Sequence, residues 1–162
     1  MANSSDELVL ITGASSGLGK AAVLYLAARG YRVIGTSRSA QRLVSLQNEA
    51  AERGLSVVGA ELDINSDPGV GSAMLRLVDE HGPVDVLVNN AGYGLWGPVQ
   101  AVSMNELKAQ FETNFFAAFR MIQAVLPSMV ERRRGADASH IRRRKGWRKS
   151  ASASRTCARN LS

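Results

Sequence analysis

The sequence predicts an α/β protein built on a doubly wound parallel sheet. The sheet is truncated after about four strands and the following long helix, and a disordered basic tail ends the chain. Four short β-rich runs alternate with helical stretches in the first part of the sequence. Such alternation with short links is typical of parallel βαβ units with right-handed crossovers. After about residue 134 both patterns disappear, which indicates the tail.

The strands are predicted from short apolar runs. Residues 8–12 (LVLIT) form the first, and a strand without polar alternation is expected to be buried on both faces of the sheet. Three more strands are predicted over residues 31–37, 55–62 and 84–89. Helices are predicted over residues 18–29, 40–53 and 67–81, and glycines follow the first two, as is common after a helix.

Two helices carry start signals. Asp67 followed by Pro68 predicts an aspartate cap with proline at the first helical position. Ser103 and Glu106 have the spacing of a capping box and open a long helix. Its apolar residues cover most of the circumference, so we expect burial on two sides and a kink at Pro127. They are Phe111, Phe115, Phe119, Ile122, Leu126 and Met129 on one face, and Ala118, Met121 and Val125 on another.

Charge divides the chain into two regions. Residues 1–131 contain 9 Lys and Arg against 13 Asp and Glu, a net charge of −4, whereas residues 132–162 contain 11 against 1, a net charge of +10. We assign residues 1–134 to one globular domain and residues 135–162 to a disordered basic tail. The single cysteine excludes a disulfide within the chain. No run has the length of a membrane span or the pattern of a signal peptide, which predicts a cytoplasmic protein without a membrane partner.

The segment TGASSGLG, Thr12 to Gly19, directly follows the first strand. Glycines at 13, 17 and 19 allow a sharp turn and a close approach of the backbone to a ligand. The helix that begins here points its unpaired N–H groups and the positive end of its dipole at that ligand. A pyrophosphate fits both features, which favours dinucleotide binding over a plain glycine-rich turn.

Polar residues also follow the second and third strands. Arg38 stands where dinucleotide-binding folds often place an acid for the ribose 2′-OH. An arginine flanked by hydroxyl side chains suits a 2′-phosphate instead, so NADP(H) is preferred and NAD(H) is the alternative. The competing interpretation of Arg38 is a solvated surface residue. Asp63 is either a turn residue or a contact at the edge of an adenine.

Asparagines mark the fourth strand and the long helix. Asn89 to Gly92 (NNAG) close the strand. Their amides can hold neighbouring loops, and the small Ala91 and Gly92 leave room for a flat ligand. Asn114 lies within the apolar long helix, where a buried amide needs hydrogen-bond partners. It is either a satisfied core residue or one that holds a water in a proton relay.

In this order and spacing, Thr12 to Gly19, Asp63, Asn89 to Gly92 and Asn114 closely resemble the short-chain dehydrogenase/reductase family over about residues 7–134. The resemblance implies a Rossmann fold, and hydride transfer between a nicotinamide cofactor and an alcohol or carbonyl. It implies that Asn114 belongs to the family's catalytic tetrad and that no metal takes part. The cofactor contacts it implies are Gly13, Ser15, Ser16, Gly17, Leu18, Gly19, Arg38, Asp63, Ile64, Asn90, Ala91 and Gly92.

The rest of that tetrad is missing. The family places Tyr-x-x-x-Lys on one helix face and a serine on the preceding strand, because a free tyrosine with a pKa of about 10 is a poor base near neutral pH. The chain's tyrosines are Tyr25, Tyr31 and Tyr93, and none has a lysine four residues later. An alcohol or carbonyl substrate is therefore expected only if the missing half is supplied.

The truncation has two structural consequences. The fourth strand is expected to have a bare, apolar outer edge, which favours aggregation or capture by a partner chain. In the family the long helix commonly makes the dimer contact, so an oligomer is expected to be compromised here.

The basic tail has two interpretations. Its sudden loss of pattern, with enrichment in Arg, Ala and Ser, indicates a shifted reading frame, a deletion or other non-family sequence. Alternatively, an NADP(H)-binding module carries a basic arm for nucleic acid or an acidic partner, since its 11 positive charges could bind phosphates without sequence specificity. Trp147 is the one aromatic residue there. Base stacking is thus poorly supplied, and nucleic acid is the less favoured partner.

We expect purified protein of this sequence to oxidise or reduce no alcohol–carbonyl pair above background, because the proton donor of the reaction is missing. Absorbance of NADPH across a panel of carbonyl substrates measures this. Turnover that the Asn114→Ala substitution abolishes would overturn the expectation.

Overall fold

A computed structural model describes residues 6–133 and 135–139. The strands are β1 (Leu8–Ile11), β2 (Arg32–Ser37), β3 (Val57–Glu61), β4 (Val86–Asn89) and β5 (Ala136–Ser139). The α-helices are α1 (Gly17–Ala27), α2 (Ala40–Glu52), α3 (Asp67–His81), α4 (Met104–Phe111) and α5 (Ala117–Glu131). A 3-10 turn (Val99–Ala101) precedes α4, and a π-helical turn (Glu112–Phe116) joins α4 to α5.

The strands form one parallel sheet in the order β3-β2-β1-β4-β5. β1 lies at its centre, where Val9 is opposite Val33 of β2 on one side and Val86 of β4 on the other. The predicted doubly wound parallel sheet is therefore confirmed.

The central strand divides the core into two layers. All four residues of β1 are buried, and they point alternately to the two faces of the sheet. Leu8 and Leu10 pack in a cluster with apolar residues of α3 and α5, whereas Val9 and Ile11 pack with those of α1 and α2. Continuous apolar character in β1 thus has the predicted cause, which is burial on both faces.

The helix-start signals are confirmed in one case and shifted in the other. Ser103 and Glu106 form the predicted capping box at α4. The hydrogen bonds that the Ser103 side chain and backbone donate to the Glu106 carboxylate lower the pKa of that group. At α3 the cap is Ser66, whose hydroxyl accepts from the Gly69 N–H at 3.2 Å. The prediction of Asp67 as cap is wrong because the backbone turns helical at Asp67 and is still extended at Ser66.

Residues 136–139, which the sequence analysis placed in the tail, form β5. This strand pairs in parallel with β4, from Val86 opposite Ala136 to Asn89 opposite Ser139. The expectation of a bare outer edge on β4 is therefore wrong. Pairing joins backbone N–H and C=O groups, so a segment without an apolar pattern can still extend a sheet. The rest of the predicted tail, residues 140–162, lies outside the described residues.

The long helix packs one face, not two. Ala117, Met121, Val125 and Met129 of α5 are buried against α3 and the sheet. The aromatic residues Phe111, Phe115, Phe116 and Phe119 are each at least 50% exposed. The expected burial on two sides is wrong for the single chain, because nothing among the described residues covers this aromatic side.

Helix α5 continues past Pro127 to Glu131, and the departure from α-helical geometry lies earlier, at the π-helical turn. None of the described helices combines the length and the apolar character that crossing a membrane requires.

A buried carboxylate joins three elements at the amino ends of the strands. Asp85, 7% exposed, accepts the Leu8 N–H at 3.0 Å with one oxygen and an Arg132 nitrogen at 2.8 Å with the other. The Arg132 guanidinium also donates to the Val84 carbonyl at 2.8 Å. Arg132 follows α5, so this ion pair fixes the end of that helix against β1 and β4.

We expect Arg132→Met to lower the free energy of unfolding by about 3 kcal/mol, because it removes the Arg132 guanidinium from the buried Asp85 carboxylate. The value lies at the lower end for buried pairs because the Arg132 side chain is 26% exposed. Urea denaturation measures the loss. The matched control is Arg76→Met on the exposed side of α3, which should change stability by less than about 0.5 kcal/mol. Equal effects of the two substitutions would contradict the assignment.

Candidate functional site

The site residues predicted from sequence gather at the carboxyl ends of the strands. In the order β3-β2-β1-β4-β5 the chain moves away from β1 to one side for β2 and β3, and crosses to the other side for β4. The crevice between β1 and β4 is thus a topological switch point, where open α/β sheets bind their ligands. The loops that follow β1, β2, β3 and β4 all open at this edge.

The glycine loop makes a tight turn between β1 and α1. Gly13 has φ +65° and Gly17 has φ +54°, in the left-handed region that glycine enters without penalty. A Cβ on Gly13 would stand 2.8 Å from the Ala91 Cα. A Cβ on Gly19 would overlap the Gly13 carbonyl oxygen and the Asn90 side-chain nitrogen. These glycines therefore allow the loops after β1 and β4 to touch.

The amino end of α1 opens into this crevice. Ser16 precedes the helix with an extended backbone, and within the described residues its hydroxyl caps none of the first N–H groups. The first turn of α1 contains no acidic residue. Unpaired N–H groups and the helix dipole make such an end attractive to an anion. Leu18, in the same turn, is 71% exposed.

Thr12 and Asn90 lock the β1 and β4 loops together. The buried Thr12 hydroxyl oxygen accepts the N–H groups of Asn90 at 3.1 Å and Ala91 at 3.0 Å. The Asn90 amide donates in return to the carbonyls of Thr12 at 2.9 Å and Gly13 at 3.1 Å. The predicted loop-holding role of these asparagines is thus seen at Asn90. Asn89 is buried, and its amide lies 3.4 Å from the Ala118 carbonyl in α5.

Asn114 lies in the π-helical turn and fixes the loop after β4. Its side-chain oxygen accepts the Tyr93 N–H at 3.0 Å, and its side-chain nitrogen donates to the Tyr93 carbonyl at 2.7 Å. A Cβ on Gly92 would stand 3.0 Å from that oxygen, so glycine permits the contact. Asn114 is exposed, and the expectation of a buried amide is wrong because the π turn presents it to the crevice loop instead of the core.

The loop after β2 holds Arg38 beside the glycine loop. The Ser37 hydroxyl lies 3.0 Å from the Ser15 hydroxyl and accepts the Ser39 N–H at 3.2 Å. Arg38, which lies between Ser37 and Ser39 in the sequence, is exposed. This arrangement places one cation and several hydroxyl groups at the side of the crevice formed by β2.

The loop after β3 contributes Asp63 and Ile64. The Asp63 carboxylate accepts the Asn65 N–H at 3.1 Å, which is the turn role considered for this residue. Its side chain is exposed, whereas Ile64 is 7% exposed and packs in the core. Residues of all four loops are thus brought to one edge of the sheet. Among the described residues no group of three or more His, Cys, Asp and Glu could hold a metal ion.

The family model for short chain dehydrogenase matches residues 7–136. The chain belongs to this family. It is 42% identical over 131 residues to retinol dehydrogenase 8 of Bos taurus, and the aligned region covers 78% of this chain and 41% of that protein. It is 39% identical over 129 residues to 3-ketodihydrosphingosine reductase of Bacteroides thetaiotaomicron, covering 80% of this chain and 44% of that one. The chain therefore spans less than half the length of these relatives.

Solved structures of other family members share the fold. A metagenomic short-chain oxidoreductase in complex with NADP matches with a TM-score of 0.79 at 29% identity, over 85% of this chain and 63% of that one. A variant of actinorhodin polyketide ketoreductase with NADPH matches with a TM-score of 0.79 at 33% identity, over 86% of this chain and 54% of that one. The described residues thus share the fold of these structures over part of their length.

The sequence did not single out two residues that the structure places at the site. Thr12 was predicted only as the first residue of the glycine motif, although its hydroxyl joins β1 to β4. A threonine at the end of an otherwise apolar buried strand was the available signal. Arg120 gave no signal in the sequence, because its partners are 8 to 56 residues away.

We expect Gly19→Ala to lower the free energy of unfolding by about 1–3 kcal/mol. The new methyl group would overlap the Gly13 carbonyl oxygen and the Asn90 side-chain nitrogen. The control is Gly71→Ala in α3, where an added Cβ meets nothing within 4 Å. It should be neutral or stabilise by up to about 1 kcal/mol. Urea denaturation of both variants measures this difference. Unchanged stability of the Gly19→Ala variant would refute the close contact between the loops after β1 and β4.

Proposed function

We propose that this chain binds NADP(H) in the crevice between β1 and β4. The observation that carries the proposal is the amino end of α1, which combines uncapped N–H groups, a first turn without acids and glycines at the closest backbone approach. This combination supports a pyrophosphate held by Gly13, Ser15, Ser16, Gly17, Leu18 and Gly19.

The 2′-phosphate of the adenosine ribose is proposed to lie at Arg38. Arg38 is exposed, and the hydroxyl of its neighbour Ser37, 3.0 Å from the Ser15 hydroxyl, offers further hydrogen-bonding groups. A charged planar donor set of this kind matches a phosphate, which favours NADP(H) with NAD(H) as the alternative. Asp63 and Ile64 are proposed to border the adenine.

The nicotinamide end is proposed to lie along Asn90, Ala91 and Gly92. The two hydrogen bonds between Asn114 and Tyr93 support this by fixing the loop that contains the small residues Ala91 and Gly92. When bound, the cofactor would supply the hydride. The chain's own residues would orient it, while Asn114 would remain the one member of the catalytic tetrad present.

As a family member, the whole protein is proposed to transfer hydride between NADP(H) and an alcohol or carbonyl substrate. The given sequence contains no Tyr-x-x-x-Lys, so we propose that this chain binds the cofactor without turnover unless a partner supplies the missing half. A cytoplasmic location is proposed with it. The basic tail is proposed to be non-family sequence, with a phosphate-binding arm as the alternative.

We expect Arg38→Gln to weaken NADPH binding about 10- to 100-fold, because a charge-assisted pair with the 2′-phosphate is worth about 1.5–3 kcal/mol. The affinity for NADH should change by less than about twofold, since NADH lacks that phosphate. Titration of cofactor fluorescence measures both. Arg76→Gln, also an exposed arginine but on α3, should change neither. Unmeasurable NADPH binding by the unaltered chain would refute the proposal, and equal losses for both cofactors would refute the role of Arg38.

A further inference from the structure

Arg120 of α5 reaches the loop after β3 with most of its side chain buried. One guanidinium nitrogen donates to the Ile64 carbonyl at 2.8 Å, and another donates to the Glu112 carboxylate at 2.9 Å. Its Nε lies beside the Asp67 carboxylate at the start of α3 as an ion pair, and this nitrogen donates no hydrogen bond within the described residues. The side chain is 18% exposed. The rigid guanidinium of Arg120 therefore ties two segments to one point on α5: the stretch from Ile64 to Asp67 and the π-helical turn at Glu112.

A second hydrogen bond ties the same loop to the π-helical turn. The Asn65 side-chain nitrogen lies 3.0 Å from the Thr113 hydroxyl. Asn65 is also the residue whose N–H closes the Asp63 turn. The loop from Asp63 to Asn65 is thus held at two consecutive residues, through the Ile64 carbonyl and the Asn65 amide.

Three consecutive residues of the π-helical turn contact both sides of the crevice. Glu112 binds Arg120, Thr113 binds Asn65, and Asn114 binds the backbone of Tyr93. Thr113 holds the loop after β3 directly, Glu112 acts on it only through Arg120, and Asn114 holds the loop after β4. A π turn widens the helix by one residue and is frequent at functional sites. Here it serves as a common support for two loops whose strands are separated in the sheet by β2 and β1.

The carboxylates around Arg120 explain why a cation is needed beside the π-helical turn. Glu112 and Asp67 come from different helices and both pair with the Arg120 guanidinium. Without that cation, two carboxylates would face each other next to a loop that already contains Asp63. Like charges at short range repel, and although water screens the 75% exposed Asp67 side chain, loss of the cation would weaken the hold of the π-helical turn on the start of α3.

We infer that Arg120 is a positioning residue for the dinucleotide, which fixes the Asp63–Asn65 loop as the wall of the adenine subsite. The inference rests on the proposed binding of NADP(H), since it concerns the adenine half of that ligand. Arg120 itself does not touch the ligand. It acts through the Ile64 carbonyl and, with Thr113, sets where Asp63 and Ile64 stand.

The test uses 2′,5′-ADP, the adenine half of NADP(H), titrated calorimetrically into the full chain. Arg120→Met should weaken its binding about tenfold. The matched control is Arg132→Met, which also removes a guanidinium that contacts a carbonyl and a carboxylate on this helical segment, but at the opposite end of the sheet. This control should leave the dissociation constant within about twofold although it lowers the melting temperature.

A second variant keeps the test decisive if Arg120→Met does not fold. Thr113→Val removes the partner of Asn65 while preserving shape, and should weaken 2′,5′-ADP binding about threefold. If the unaltered chain binds 2′,5′-ADP, unchanged affinity in Arg120→Met would overturn the role of Arg120. If that variant is unfolded, unchanged affinity in Thr113→Val would overturn the inference, because the position of the Asp63–Asn65 loop would then not set the affinity. Equal loss of affinity in Arg132→Met would overturn it as well, because the effect would then be general destabilisation. An unaltered chain that binds neither NADPH nor 2′,5′-ADP would refute the proposed function and this inference with it.

Discussion

The whole crevice depends on the reciprocal hydrogen bonding between Thr12 and Asn90. The Thr12 hydroxyl accepts two N–H groups from the end of β4, and the Asn90 amide donates to two carbonyls at the end of β1. All these groups lie in a part-buried region, where an unpaired polar group would be costly. The bonds hold the loops after β1 and β4 in contact, and only glycine at 13 and 19 leaves space for that contact.

The two ends of the sheet carry different tasks. At the amino ends, Asp85 and Arg132 join β1, β4 and the end of α5 through a buried ion pair. At the carboxyl ends, the contacts join loops that present small or polar residues to the crevice. The long helix spans both ends and connects them. Its π-helical turn supports the loops of the crevice, while its last turn is fixed by the ion pair.

The described fold is that of a short-chain dehydrogenase with one side open. The chain spans 41% of retinol dehydrogenase 8 and 44% of 3-ketodihydrosphingosine reductase. The aromatic side of α4 and α5 is exposed, with Phe115 at 61% and Phe111 at 54%. On the α1 and α2 side of β4, Val86 and Val88 are only partly buried.

The sequence alone determined the sheet, the order of its elements and most of the crevice. Hydrophobic runs, glycine positions and capping residues act locally, so β1 to β4, the capping box at Ser103 and the turn at Gly13 to Gly19 could all be predicted. The cap at Ser66 is also local, but the Asp67–Pro68 pattern favoured the wrong residue. Only the tertiary structure decided β5, the exposure of Asn114 and the role of Arg120. Each of these depends on which backbone or carboxylate groups come together across the fold. Arg120, for example, meets a carbonyl 56 residues away, and no periodicity in the chain records such a contact.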